Sequence, residues 1–135
     1  MVVMWYLPVV DRPKRLFSNL KTTEMMTWHA DRPVKDDARQ WRTFDANHPE
    51  FSVEKRNVRF SFSTDGMNPF GKRSSTHSTC PVLMTIYNLP QWLCHKRKFL
   101  LLNILIQGPK QPGIDIDVLI EPLMEDMQKL CEDGV

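Results

Sequence analysis

The sequence predicts an α+β fold. Three observations carry that expectation. Residues 57–65 alternate apolar and polar side chains. Two later apolar runs, 80–87 and 99–106, are each closed by turn-forming residues. A stripe of apolar residues at helical spacing then follows Pro112 and Gly113. The expected order is β-β-β-α over residues 57–135, preceded by an irregular to helical segment over residues 1–56.

The N-terminal segment mixes Trp5, Tyr6, Trp28, Trp41 and Phe44 with basic residues. Residues 1–10 are apolar but lack a basic lead-in, and Pro8 interrupts them, so they read as a core segment rather than a signal peptide. Short helices are expected at 21–29 and 36–47, the second with a partial apolar stripe of Ala38, Trp41 and Phe44. In the first strand Val58, Phe60, Phe62 and Thr64 share one face, and Arg59, Ser61, Ser63 and Asp65 share the other. That strand stops at Asp65-Gly66, with Asn68, Pro69 and Gly71 as further turn signals. The second strand is bounded by Asn88 and Pro90, the third by Gly108 and Pro109. Connections this short suit an antiparallel meander. In the final helix Val118, Leu119, Pro122, Leu123, Met127 and Leu130 form the stripe, Asp115 or Asp117 caps the start and Gly134 the end. Pro122 is acceptable in this helix only in the first turn, where its missing N–H costs nothing.

A chain of 135 residues with 41% hydrophobic residues supports one ordinary domain. Charged residues at 25% exclude a disordered polyelectrolyte. Ten prolines against five glycines argue against long unbroken helices through most of the chain. The net charge is only +2, but it is unevenly spread: basic residues dominate before Lys110 and acids after Asp115. Cys80, Cys94 and Cys131 are too few and too scattered for a disulfide framework or a zinc knuckle, and the histidines show no ligand spacing with them. No apolar run is long enough to span a membrane.

Asp65 is the first candidate for chemistry. A carboxylate at a strand end, followed by Gly66, suits a divalent cation with hard oxygen ligands; the same pair also suits a simple Asx turn. Asp115, Asp117, Glu121, Glu125 and Asp126 form an acidic cluster, either a ligand face or a solvated, capped helix start. Lys72-Arg73 and Lys96-Arg97-Lys98 are basic clusters between strands, suited to a DNA backbone or merely to solvent.

Several motifs carry a family resemblance. Residues 63–71, S-T-D-G-M-N-P-F-G, resemble the S-D-G-M/F-N-P-F-G pattern of plant CACTA (En/Spm) transposases. Residues 78–94, S-T-C-P-V-L-M-T-I-Y-N-L-P-Q-W-L-C, resemble that family's S-x-W-P-V-x-x-x-x-Y-N-L-P-P-W-x-C, and residues 108–117, G-P-K-Q-P-G-I-D-I-D, its G-P-R/K-x-P-G-N-D-I-D. Shorter matches at 5–8, 14–17, 28–30 and 56–59 fall in the same order, so the resemblance covers nearly the whole chain. It implies an RNase H-like DDE/D catalytic domain, whose core opens with three antiparallel strands and a helix. It also implies that Asp65 is the first catalytic acid and a ligand for Mg²⁺ or Mn²⁺, that the partners are transposon-end DNA and full-length transposase, and that the protein is nuclear. The later acids of the triad are expected beyond residue 135, which makes this chain an N-terminal fragment, inactive alone; the alternative is a transposon-derived DNA- or protein-binding module. Cys80 and Cys131 stand where the family has Trp, and Ile114 where it has Asn.

Overall fold

The computed structural model describes residues 2–30, 39–69, 77–109 and 112–134. It is an α+β fold built on a four-stranded antiparallel sheet. The elements are β1 (Val3–Tyr6), α1 (Asp11–Phe17), α2 (Leu20–Thr27), a 3-10 turn (Trp28–Ala30), α3 (Arg39–Asn47), α4 (Pro49–Val53), β2 (Phe60–Thr64), β3 (Ser78–Ile86), α5 (Gln91–Cys94), β4 (Leu101–Gly108) and α6 (Ile116–Asp133). Strand order is β1-β4-β3-β2, so β2 and β1 lie at the edges. The three expected strands and the final helix are all present. The fourth strand, β1, comes from the N-terminal segment and pairs with β4 across about a hundred residues, Tyr6 opposite Ile104.

Alternation divides the sheet into two faces. Met4, Tyr6, Ile104, Ile106, Cys80, Val82, Met84, Phe62 and Thr64 share one of them by register. Helix α6 covers this face: Val82, Met84, Ile104, Ile106 and Leu123 are all nearly inaccessible, with Leu119, Ile120, Met127 and Leu130 packed beside them. A second cluster closes the far end of the sheet, where Met26 of α2 meets Ile86, Leu89, Cys94 and Phe99. Each fully buried aliphatic side chain contributes about 1.5–3 kcal/mol. On the other face Trp5 is 61% exposed and Val3 is also exposed.

Two prolines sit where the sequence pattern did not foresee them. Pro13 lies in the first turn of α1, where a missing donor is harmless. Pro122 lies well inside α6, beyond the first turn where a helix accepts proline without cost. It deprives the carbonyl of Val118 of its helical donor, but Val118 is exposed, so water can take that place. The carbonyl of Pro122 itself accepts the Tyr6 hydroxyl at 3.2 Å. Asp115 stands at the N-cap of α6 without a side-chain capping bond, and Gly134 ends the helix at φ 71°.

The N-terminal segment is tied to the rest by polar contacts. Asp126 accepts the Tyr6 hydroxyl and, at 3.2 Å, the Val9 amide. The β4 bulge leaves Asn103 unpaired with β3, and Arg12 bridges it, donating to the Leu102 carbonyl at 2.6 Å and to Asn103 Oδ1 at 3.2 Å. Burial, reinforced by the hydrogen bond to Asp126, holds the Tyr6 hydroxyl protonated well above its ordinary range. A raised phenol stabilises the fold fully below its unfolded value of about 10, and the contribution is lost as pH climbs towards the folded value. Urea unfolding is therefore expected to show a steeper stability loss above pH of about 10 for the native protein than for Tyr6→Phe. Parallel curves for the two proteins would show that this hydroxyl is not held in the way described.

Candidate functional site

Asp65 follows directly on β2, and its residue is exposed. A break in the ladder puts it there. Thr64 pairs with Val82, and three residues later Met67 pairs with Thr79, three residues back along β3. The register therefore runs through without slipping, and Asp65 stands across from Pro81. The amides of Thr79 and Tyr87 donate to Met67 and Arg59 of the β2 chain, so by alternation the backbone of Pro81 also points towards β2. Pro81 has no N–H to give. The strand opens at Asp65 for that reason, and a proline is tolerated in the central strand β3 because its defect faces this opening.

Alternation along β2 puts Ser61, Ser63 and then Asp65 on the face opposite α6. Asp115 and Asp117 flank Ile116 at the start of α6. Ile116 and Thr64 line the same apolar cavity of about 280 Å³, with Phe62, Val82, Ile120, Leu123 and Met124 among its walls. The acids thus gather at one end of the sheet but divide between its two sides. Among the described residues no three His, Cys, Asp or Glu side chains are grouped to hold a metal ion. A single exposed carboxylate fits a hydrated Mg²⁺, which keeps most of its water. It does not by itself fit a two-ion clamp, which needs carboxylates from several elements. Asp117, Glu121 and Glu125 are exposed along α6, while Asp126 is taken up by Tyr6 and Val9.

Lys96, Arg97 and Lys98 lie exposed in the turn after α5. That turn is at the opposite end of the sheet from Asp65, since Phe60, the first residue of β2, pairs with Ile86 just before it. At least the length of β2, about 15 Å, therefore separates the two. Lys72 and Arg73 fall outside the described residues. Between Asp65 and Asp115 the chain contains no acidic residue at all, a signal that inspection of the basic clusters alone passes over. Cys80 is buried with its Sγ 3.1 Å from Thr64 Oγ1, whereas Cys131 is exposed.

One group of polar residues was not singled out by the sequence pattern. Arg59, just before β2, pairs with Asp45 of α3 and lies over the rings of Trp41 (4.2 Å), Phe51 (5.2 Å) and Phe44 (5.6 Å). Its amide donates to the fully buried Asn88 at 2.7 Å, and Asn88 donates on to the Asn57 carbonyl at 2.8 Å. His29 stacks near Trp41, and burial, with the nearby Arg59 charge, pushes its pKa down. This is a structural latch that fixes α3 and α4 to the start of the strand ending in Asp65.

No described helix is long and apolar enough to cross a membrane. Comparison with curated proteins and with solved structures finds no match to this chain. Residues 31–135 match the transposase family tnp2, and that stretch includes β2, β3, β4, α6, Asp65 and the basic turn. The chain belongs to the transposase family tnp2.

Proposed function

We propose that this chain is part of a CACTA (En/Spm)-type transposase of plant origin, acting in the nucleus, and that residues 57–135 form the opening of an RNase H-like DDE/D core with residues 1–56 packed against it. The observation that carries the reading is the exposed carboxylate of Asp65 at the open end of β2, in a unit of three antiparallel strands followed by a covering helix. In this reading Asp65 contributes one ligand for Mg²⁺ or Mn²⁺. The bound ion supplies charge to offset the phosphodiester oxygens. The chain's own part is to hold the carboxylate at the strand end and to keep DNA beside it. Lys96, Arg97 and Lys98, together with Lys72 and Arg73, hold the phosphates of transposon-end DNA. The length of β2, about 15 Å, lies between the basic turn and Asp65, a span of at least roughly four base-pair steps of B-form DNA. A transposase is the proposed protein partner at the transposon ends.

The test is duplex binding as a function of salt. Native protein is expected to bind duplex DNA with an affinity that falls steeply as salt rises, because each phosphate contact releases counterions. Replacing Lys96, Arg97 and Lys98 together by Ala is expected to lower the slope of log affinity against log salt by up to about 2.7, or about 0.9 for each lost contact. An unchanged slope would remove this turn from the DNA surface. Mn²⁺ added to the protein is expected to broaden NMR signals around Asp65 and to spare them in Asp65→Asn.

A further inference from the structure

We propose that Trp92 and the basic turn after it form one surface that takes an unpaired nucleotide of DNA, with the indole stacking on the base and the turn holding its phosphates. This rests on the proposed DNA contact and extends it from the backbone to the base. Three features support it.

The first is the exposure of Trp92. Leu89, just before the short helix α5, and Cys94 at its end turn into the core, almost inaccessible, and the Cys94 thiol donates to the Leu89 carbonyl at 3.0 Å. Trp92 is left pointing outwards, 65% exposed, although an indole is costly to leave in water. Its ring rests against Trp28, with centroids 5.9 Å apart and a tilt of 52°. That contact supports one part of the indole and leaves most of it open.

The second is charge. The Lys96 amide donates to the Leu93 carbonyl at 2.9 Å, and the amides of Phe99 and Leu100 both return to the Lys96 carbonyl, so the turn is folded tightly onto α5. Lys98 is held by its ammonium over the Phe99 ring at 4.7 Å. Elsewhere on the surface, Lys14 and Lys129 each face an aspartate. None of Lys96, Arg97 or Lys98 pairs with an acidic side chain of the described residues. With no acid between Asp65 and Asp115 in the chain, the turn carries positive charge with little local compensation.

The third is proximity. Lys96 comes two residues after the end of α5, and its amide on the Leu93 carbonyl folds the turn back onto the helix that carries Trp92. A flat aromatic face on the helix that leads into a group of cations is an arrangement that binds single-stranded nucleic acid: cations follow the backbone and the ring takes a base. In an intact duplex both faces of every internal base are already stacked, so Trp92 can engage only a nucleotide that is unpaired, at a frayed end or in a displaced strand.

The experiment measures anisotropy of a labelled single strand and of a labelled duplex with blunt, closed ends. It compares native protein, Trp92→Phe, Trp92→Leu and the triple Ala variant of Lys96, Arg97 and Lys98. Leu preserves an apolar contact with Trp28 but cannot stack on a base, and matching circular dichroism would show that the fold is kept. Trp92→Leu is expected to weaken single-strand binding roughly five- to a hundredfold and to leave duplex binding unchanged, while Trp92→Phe stays near native. The triple variant is expected to weaken both. Native single-strand affinity in Trp92→Leu, or equal losses on both DNAs, would overturn the stacking role; if the triple variant still weakened binding, the DNA contact itself would stand. Unchanged binding in the triple variant would overturn both.

Discussion

Replacing Arg59 by Ala is expected to cost about 3 kcal/mol of stability and to loosen α3 and α4 from the sheet. The Arg59 side chain is only 12% exposed and that of Asp45 30%, so the pair lies largely out of water. Removing one member of such a pair leaves the other charge without compensation, which costs about 3–5 kcal/mol when burial is complete. The partial exposure of Asp45 places the expected loss at the lower end. The lost contact with the rings of Trp41, Phe44 and Phe51 is part of this cost rather than an addition to it. A typical domain has only about 5–15 kcal/mol in total, so this one residue holds a large share. Urea unfolding measures the loss, and hydrogen exchange locates it: amides of α3 and α4 should exchange much faster, while those of β3 and β4 change little. Arg59→Met, which keeps the stem but not the charge, separates packing from pairing. Native-like stability in Arg59→Ala, with α3 still protected, would show that the latch is not what holds these helices.

The latch was illegible in the sequence for a physical reason. Trp41 and Phe44 appear along the chain in a weak apolar stripe, Phe51 as a single aromatic beyond it, and Arg59 as one polar position of an alternating strand. Only the fold brings them together. The same holds for β1. Four residues before a proline give no usable period, and the partner strand lies far along the chain. By contrast β2, β3, β4 and α6 announce themselves locally, because alternation in a strand and the 3.6-residue stripe in a helix are set by the neighbouring backbone alone. Pro122 lies deeper in α6 than the usual first-turn position of a helical proline; the exposure of Val118, whose carbonyl lacks its helical donor and can take water instead, makes an interior proline tolerable there. Asp65 was legible as a strand end. The cause of that end, a proline across the ladder at residue 81, was not, since it belongs to the register between two strands rather than to either one.

Purified protein is expected to leave DNA carrying CACTA ends uncut in the presence of Mg²⁺ or Mn²⁺. In-line displacement at a phosphodiester needs two ions, one at the attacking and one at the leaving oxygen, and each ion needs ligands of its own. Asp65 offers one carboxylate, two oxygens at most. The next acid along the chain is Asp115, and it opens the helix that covers the opposite side of the sheet from the one towards which alternation directs Asp65. Bringing Asp117 or Glu121 to Asp65 would require that helix to move past the edge of β2, exposing Leu123 and the core beneath it, at about 1.5–3 kcal/mol for each buried side chain. Weak binding of a single hydrated ion is compatible with this geometry, because Mg²⁺ can keep its water and still accept one carboxylate. The assay is a supercoiled plasmid bearing the ends, incubated with each ion and read for nicked and linear forms. Metal-dependent cleavage that disappears in Asp65→Ala would refute the expectation. It would also require that α6 shifts in the active form, with Asp117 or Glu121 reaching round the β2 edge to share the ion, and either substitution to Ala should then abolish the cut as well.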